Sequence, residues 1–121
     1  MSTQIAHLPI PQIPDSKLAR EVTELVRDTE SPLLFHHSTR VYLFGALAGV
    51  RNRLKFDPEL LYVGAMFHDM GLTKKYSSAT ERFEVDSANA ARDFLRRHGI
   101  AEASIDIVWD AIALHTTPGI P

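Results

Sequence analysis

Residues Leu60 to Phe67 read LLYVGAMF, and wound as a helix they are apolar on every side. A helix with no polar face must be surrounded by other elements, so this stretch predicts the centre of a helical fold. Its ends are marked. Asp57-Pro58 precedes it, with a side chain that caps free N–H groups and a proline suited to the first helical position. Gly71 follows, a residue suited to the left-handed position that ends a helix. The expected helix runs from Glu59 to about Met70.

Four further helices follow from the same reasoning. Asp15 is a candidate cap for a first helix, in which Leu18, Val22, Leu25 and Val26 form an apolar stripe. Ser31-Pro32 starts a second helix, expected to reach about Leu54. After a polar loop from Leu72 to about Arg82, a fourth helix spans about Glu84 to His98, closed by Gly99. Basic Arg96, Arg97 and His98 fill its last turn, where they favour the helix dipole. A fifth spans roughly Glu102 to His115. Residues 1–14 hold Pro9, Pro11 and Pro14 and read as an extended arm lying on the body or on a neighbouring subunit. No strand-like alternation occurs, so the fold class is all-α, one domain of about five helices over residues 15–121.

Several functional classes are excluded. The net charge of −2 generates no field that would gather nucleic acid or an anionic membrane. The longest apolar run, Val41 to Val50, is far shorter than the roughly 20 residues of a spanning helix. The N-terminus lacks the basic start and apolar core of a signal peptide, which predicts a cytoplasmic protein. With no cysteine, a metal here must use nitrogen and oxygen ligands.

Polar groups fall on stripes that are expected to be buried. Leu33, His37, Val41, Phe44 and Ala48 share one helix face; Leu61, Ala65 and His68 share another, with Asp69 beside it; Val108, Ala111, Ile112 and His115 share a third. Three histidines are therefore expected to enter the core from three helices. An ionised Asp69 in such surroundings requires a cation. Arg40, one turn from His37, is one candidate, through a salt bridge. A divalent metal is the other: imidazole and carboxylate suit zinc above all, with iron, manganese or nickel as alternatives. Consecutive His68 and Asp69 point about 100° apart on a regular helix, so both reach one ion only near a helix end.

The series His37-Ser38-Thr39-Arg40-Val41-Tyr42, Phe67-His68-Asp69-Met70-Gly71, Arg82-Phe83-Glu84-Val85 and Trp109-Asp110-Ala111-Ile112-Ala113-Leu114-His115-Thr116 resembles the HD-domain superfamily of metal-dependent phosphohydrolases. The later stretches are most similar to its cyanamide hydratase branch. The resemblance implies an HD-type bundle with His37, His68 and Asp69 as metal ligands, and a small-molecule substrate attacked by activated water. It places Asp69, His115, Glu84 and Lys75 at the reacting centre. The alternatives are a phosphohydrolase of nucleotide-like phosphoesters, a non-catalytic HD domain that only binds, or a helical interaction module with core histidines. One departure stands out. The family draws a fourth ligand, an aspartate, from a helix downstream of the His115 position, and Thr116 to Pro121 contain no carboxylate. Asp110, about 140° around the helix from His115, is expected to face solvent. The expectation is a missing C-terminal portion of the family fold, and self-association as a homo-oligomer through the surface left uncovered.

Overall fold

The central element of the computed structural model, which describes residues 12–51 and 57–115, is the apolar helix expected from its sequence. Five α-helices are present in the described residues, and no strand: α1 (Lys17–Thr29), α2 (Pro32–Arg51), α3 (Pro58–Phe67), α4 (Phe83–Arg97) and α5 (Glu102–Ala113). A single 3-10 turn, Met70–Leu72, lies between α3 and α4. The fold is an all-α bundle in which α3 packs against each of the other four helices. Tyr62, Val63, Met66 and Phe67 are all but inaccessible to solvent. Tyr62 packs edge-on against Tyr42 of α2 with ring centroids 5.1 Å apart, and Phe67 meets Phe94 of α4 at 5.3 Å.

The starts of the helices follow their sequence signals, with one correction. Asp57 accepts hydrogen bonds from the N–H groups of Glu59 and Leu60, ahead of Pro58. At α1, however, the cap is Ser16, whose hydroxyl accepts from the Ala19 N–H. Asp15 instead pairs with Arg20 at the surface, 2.9 Å away. A one-residue shift keeps Leu18, Val22 and Val26 facing the core, because capping oxygens of Ser and Asp are interchangeable here. Before α1 the extended residues 12–15 lie on the body, where the Gln12 carbonyl accepts from the Tyr42 hydroxyl. The remainder of the expected arm, residues 1–11, and the expected end of the second helix at Leu54 lie outside the described residues.

The face of α2 expected to be buried is largely exposed. Leu33 is 78% accessible and Phe44 69%, and His37 is also exposed. The helix buries Ser38, Tyr42 and Ala46 instead, a stripe one residue further on. One position is about 100° of rotation. The run is apolar enough that either face fills a core equally well, so composition alone does not select between them.

Candidate metal centre

The end of α3 assembles the polar cluster. His68 keeps helical backbone angles (φ −60°, ψ −24°), whereas Asp69 departs from them (φ −111°, ψ 7°) and the chain enters the 3-10 turn. That change of winding brings two consecutive side chains to one point. The turn is held by N–H groups of Leu72 and Thr73 donating to the carbonyls of Asp69 and Met70, each at 3.0 Å. Gly71 does not adopt the left-handed conformation expected of it; among the described residues only Gly99 does so, with φ 72°. Gly71 is required by space. A Cβ there would lie 2.1 Å from the Phe83 carbonyl oxygen, and its N–H donates to the buried Ser87 hydroxyl at 2.7 Å.

His37 reaches this point from α2. Its Nε2 lies 3.5 Å from Asp69 Oδ2, and His68 Nε2 lies 3.1 Å from the same oxygen. One ligand atom from each of the three residues falls within 4.8 Å of the others. His68 Nδ1 is 2.5 Å from the Ala65 carbonyl, so it is Nδ1–H that donates there and Nε2 that faces Asp69. Burial alone would raise the Asp69 carboxyl, but the hydrogen bond from His68 and the charges of His68, His37 and His115 outweigh it and hold the group low. Burial likewise disfavours a charged His68, yet its hydrogen bonds to Asp69 and Ala65 and the charges of Asp69 and Glu30 raise its proton affinity. The cluster is thus a buried anion seeking a cation. Arg40 is not that cation: the ion pairs of Asp69 among the described residues are with His37 and His68.

Two imidazoles and a carboxylate are a donor set that could hold a divalent ion. Ligand atoms roughly 2.0–2.2 Å from one centre stand about 3.0–3.5 Å apart, matching the two separations from Asp69. The family model of the HD domain matches residues 34–121, most of the chain. The chain belongs to the HD domain family. HD domains are generally metal-dependent hydrolases that bind divalent ions, and His37, His68 and Asp69, which converge here, lie within the matched residues. No curated protein matches the sequence.

The remaining residues that resemblance placed at the reacting centre of the HD domain are arranged unequally. The His115 ring stands edge-on to His68 with centroids 5.2 Å apart, and its Nδ1 is 2.5 Å from the Ile112 carbonyl. It is exposed, lying just past the end of α5 rather than in the core. With His37 exposed too, two of these three histidines are accessible to solvent, and His68 is the less exposed one. Glu84 is buried in the first turn of α4, next to Phe83, whose ring touches His115 at 5.9 Å between centroids. Lys75 is exposed, its ammonium 5.3 Å from the ring centre of Tyr76. Neither belongs to the cluster of converging ligand atoms. Asp110 is exposed, as its position on the helix implied.

Two buried carboxylates are not among the residues singled out from the sequence. Asp86, in the first turn of α4, accepts from the N–H and hydroxyl of Ser78 at 2.7 and 2.8 Å, pinning the loop that follows the cluster. Glu30 is 6% exposed and electrostatically coupled to Asp69 and His68. Its signal was present, since Leu18, Val22 and Val26 continue at the same spacing to Glu30. Beside the cluster lies a cavity of about 790 Å³ between α2, α3 and α5. Val41, Leu60, Leu61, Ile107 and Val108 line it together with His68 and His115, and no Lys or Arg is among its described lining residues.

Proposed function

We propose that this HD domain is a hydrolase or hydratase that adds water to a small uncharged molecule, as the resemblance to the cyanamide hydratase branch implies. The observation that carries the reading is the convergence of His37, His68 and Asp69 within 4.8 Å beside an apolar cavity. A divalent ion held there supplies a Lewis acid able to lower the pKa of water from 15.7 towards about 7. The chain's own groups do the rest. The Ala65 carbonyl fixes His68 with Nε2 directed at the centre, and a ligand so oriented binds more tightly than a freely turning ring. Asp69, held ionised, contributes charge. His115, edge-on to His68, is positioned to donate or accept a proton at its imidazole.

The lining of the cavity favours a neutral substrate over a phosphoester. A phosphate group entering apolar walls without Lys or Arg would lose hydration with no cation of the wall to replace it. In the proposed reaction the O–H of water adds across a carbon–nitrogen triple bond, so that cyanamide and water become urea with nothing else consumed. The test is turnover by metal-loaded protein given cyanamide or nucleoside monophosphates. Urea formation that disappears in His68→Ala supports the hydratase reading. Phosphate release without urea moves the assignment to a phosphohydrolase, and failure to take up any divalent ion overturns both.

A further inference from the structure

The first helix ends in a carboxylate that solvent scarcely reaches. Helical spacing carries Glu30 inward on the stripe of Leu18, Val22 and Val26, leaving it 6% exposed. Its Oε1 accepts a long hydrogen bond of 3.4 Å from the Ser38 hydroxyl. Its Oε2 is buried and has no hydrogen-bond partner among the described residues. Buried polar atoms are nearly always satisfied, so an orphan oxygen signals a partner of another kind.

Its surroundings indicate which. Ser38 is the residue next to His37, and Asp69 and His68 are both close enough for their charges to act on the Glu30 carboxyl. Burial, then the Asp69 charge, push that carboxyl up to about 7, opposed by the Ser38 hydrogen bond and by His68. Glu30 is outside the set of ligand atoms lying within 4.8 Å of one another. It is therefore a neighbour of the centre rather than a fourth member of the converging set. A divalent ion on two neutral imidazoles and one carboxylate retains a net positive charge. A second carboxylate nearby, which that positive charge would draw back to its ionised form, would balance it.

We propose that Glu30 is an outer member of the metal centre, supporting the ion held by His37, His68 and Asp69 through its charge and through a hydrogen bond that its Oε2 accepts from water around the ion. This rests on the reading of those three residues as ligands. The competing role for Glu30 is purely structural, joining α1 to α2 through Ser38. The two roles separate in paired measurements on Glu30→Gln: affinity for Zn²⁺ and Mn²⁺ by competition with a chelating dye, and the melting temperature of metal-free protein. Glu30→Gln is expected to bind each ion about 10- to 100-fold more weakly, with a metal-free melting temperature equal to or above that of the parent. Unchanged affinity, with or without a lower melting temperature, would overturn the proposal. Should Glu30→Gln fail to fold, Glu30→Asp keeps the charge but draws it back by one methylene, and weaker binding is expected there too; unchanged affinity in that variant refutes the role. Parent protein that binds neither ion removes the ligand reading itself, which is distinguishable from a parent that binds and a variant that binds equally well.

Discussion

Gly71→Ala tests how the cluster is held in place. The new Cβ would sit 2.1 Å from the Phe83 carbonyl oxygen and 2.9 Å from the Ser87 nitrogen, both backbone atoms that no side-chain rotation moves aside. A carbon and a carbonyl oxygen rest about 3.3 Å apart, so the turn and the start of α4 must separate by about 1 Å or more. Separation on that scale takes the 2.7 Å bond from Gly71 N–H to the Ser87 hydroxyl out of range. Losing a buried bond costs about 1–3 kcal/mol and forcing the backbone apart about 1–3 kcal/mol more. The expected total is about 2–6 kcal/mol, or roughly 8–24 °C in melting temperature for a chain this long. Circular dichroism at increasing temperature reads it directly. Ser87→Ala is the control, removing the bond without the clash and costing about 1–3 kcal/mol. Gly71→Ala melting within about 2 °C of the parent would show that the turn does not press on α4 as described.

Three other outcomes follow from the same geometry. His68 has a raised proton affinity relative to its ordinary 6.5, so its stabilisation is full below that value and is lost as pH climbs through the raised one. The Glu30 contribution is likewise full below 4.5 and lost on ionisation near 7, whereas that of Asp69 persists above 3.8 and fades only in stronger acid. Metal-free protein should therefore melt at progressively lower temperature from about pH 5 to pH 8, and a rise over that interval would contradict these environments. His115→Gln should leave metal content unchanged while reducing turnover about 10²-fold or more, as measured by metal analysis beside initial rates; loss of the ion would make His115 a ligand instead. Phe67→Ala, emptying a fully buried position in the central helix, should cost about 3–5 kcal/mol by urea titration, and a cost below about 1 kcal/mol would be inconsistent with its packing against Phe94.

Much of this arrangement was legible in the residues, for reasons that are local. Pro32 and Pro58 can occupy few helical positions other than the first turn, so they mark the starts of α2 and α3 to within a residue. The apolar sequence of α3 has no solvent-compatible face and had to be central. The convergence of His37, His68 and Asp69 was legible from polar groups interrupting apolar stripes and from the resemblance together. What escaped depends on contacts between elements. The rotation of α2 is set by which face Tyr62 and Met66 meet, information absent from its own near-uniform composition. That rotation turned the expected buried stripe of Leu33 and Phe44 outward and left His37 exposed. Sequence alone predicts a special backbone conformation at Gly71, but its constraint comes from Phe83, twelve positions on and in another helix. Glu30 continues the stripe of Leu18, Val22 and Val26, but a charged residue at a helix end ordinarily points to water, so spacing alone does not mark it as buried.

The most direct test of the account is the metal content of the protein itself. Parent chain and His68→Ala, each stripped with chelator, reloaded with zinc or manganese and dialysed, are compared by elemental analysis at equal, folded concentration. Two imidazoles and a carboxylate meeting at one point predict about one ion per parent chain and almost none in the variant. Equal metal in both proteins, or none in either, would contradict the centre described.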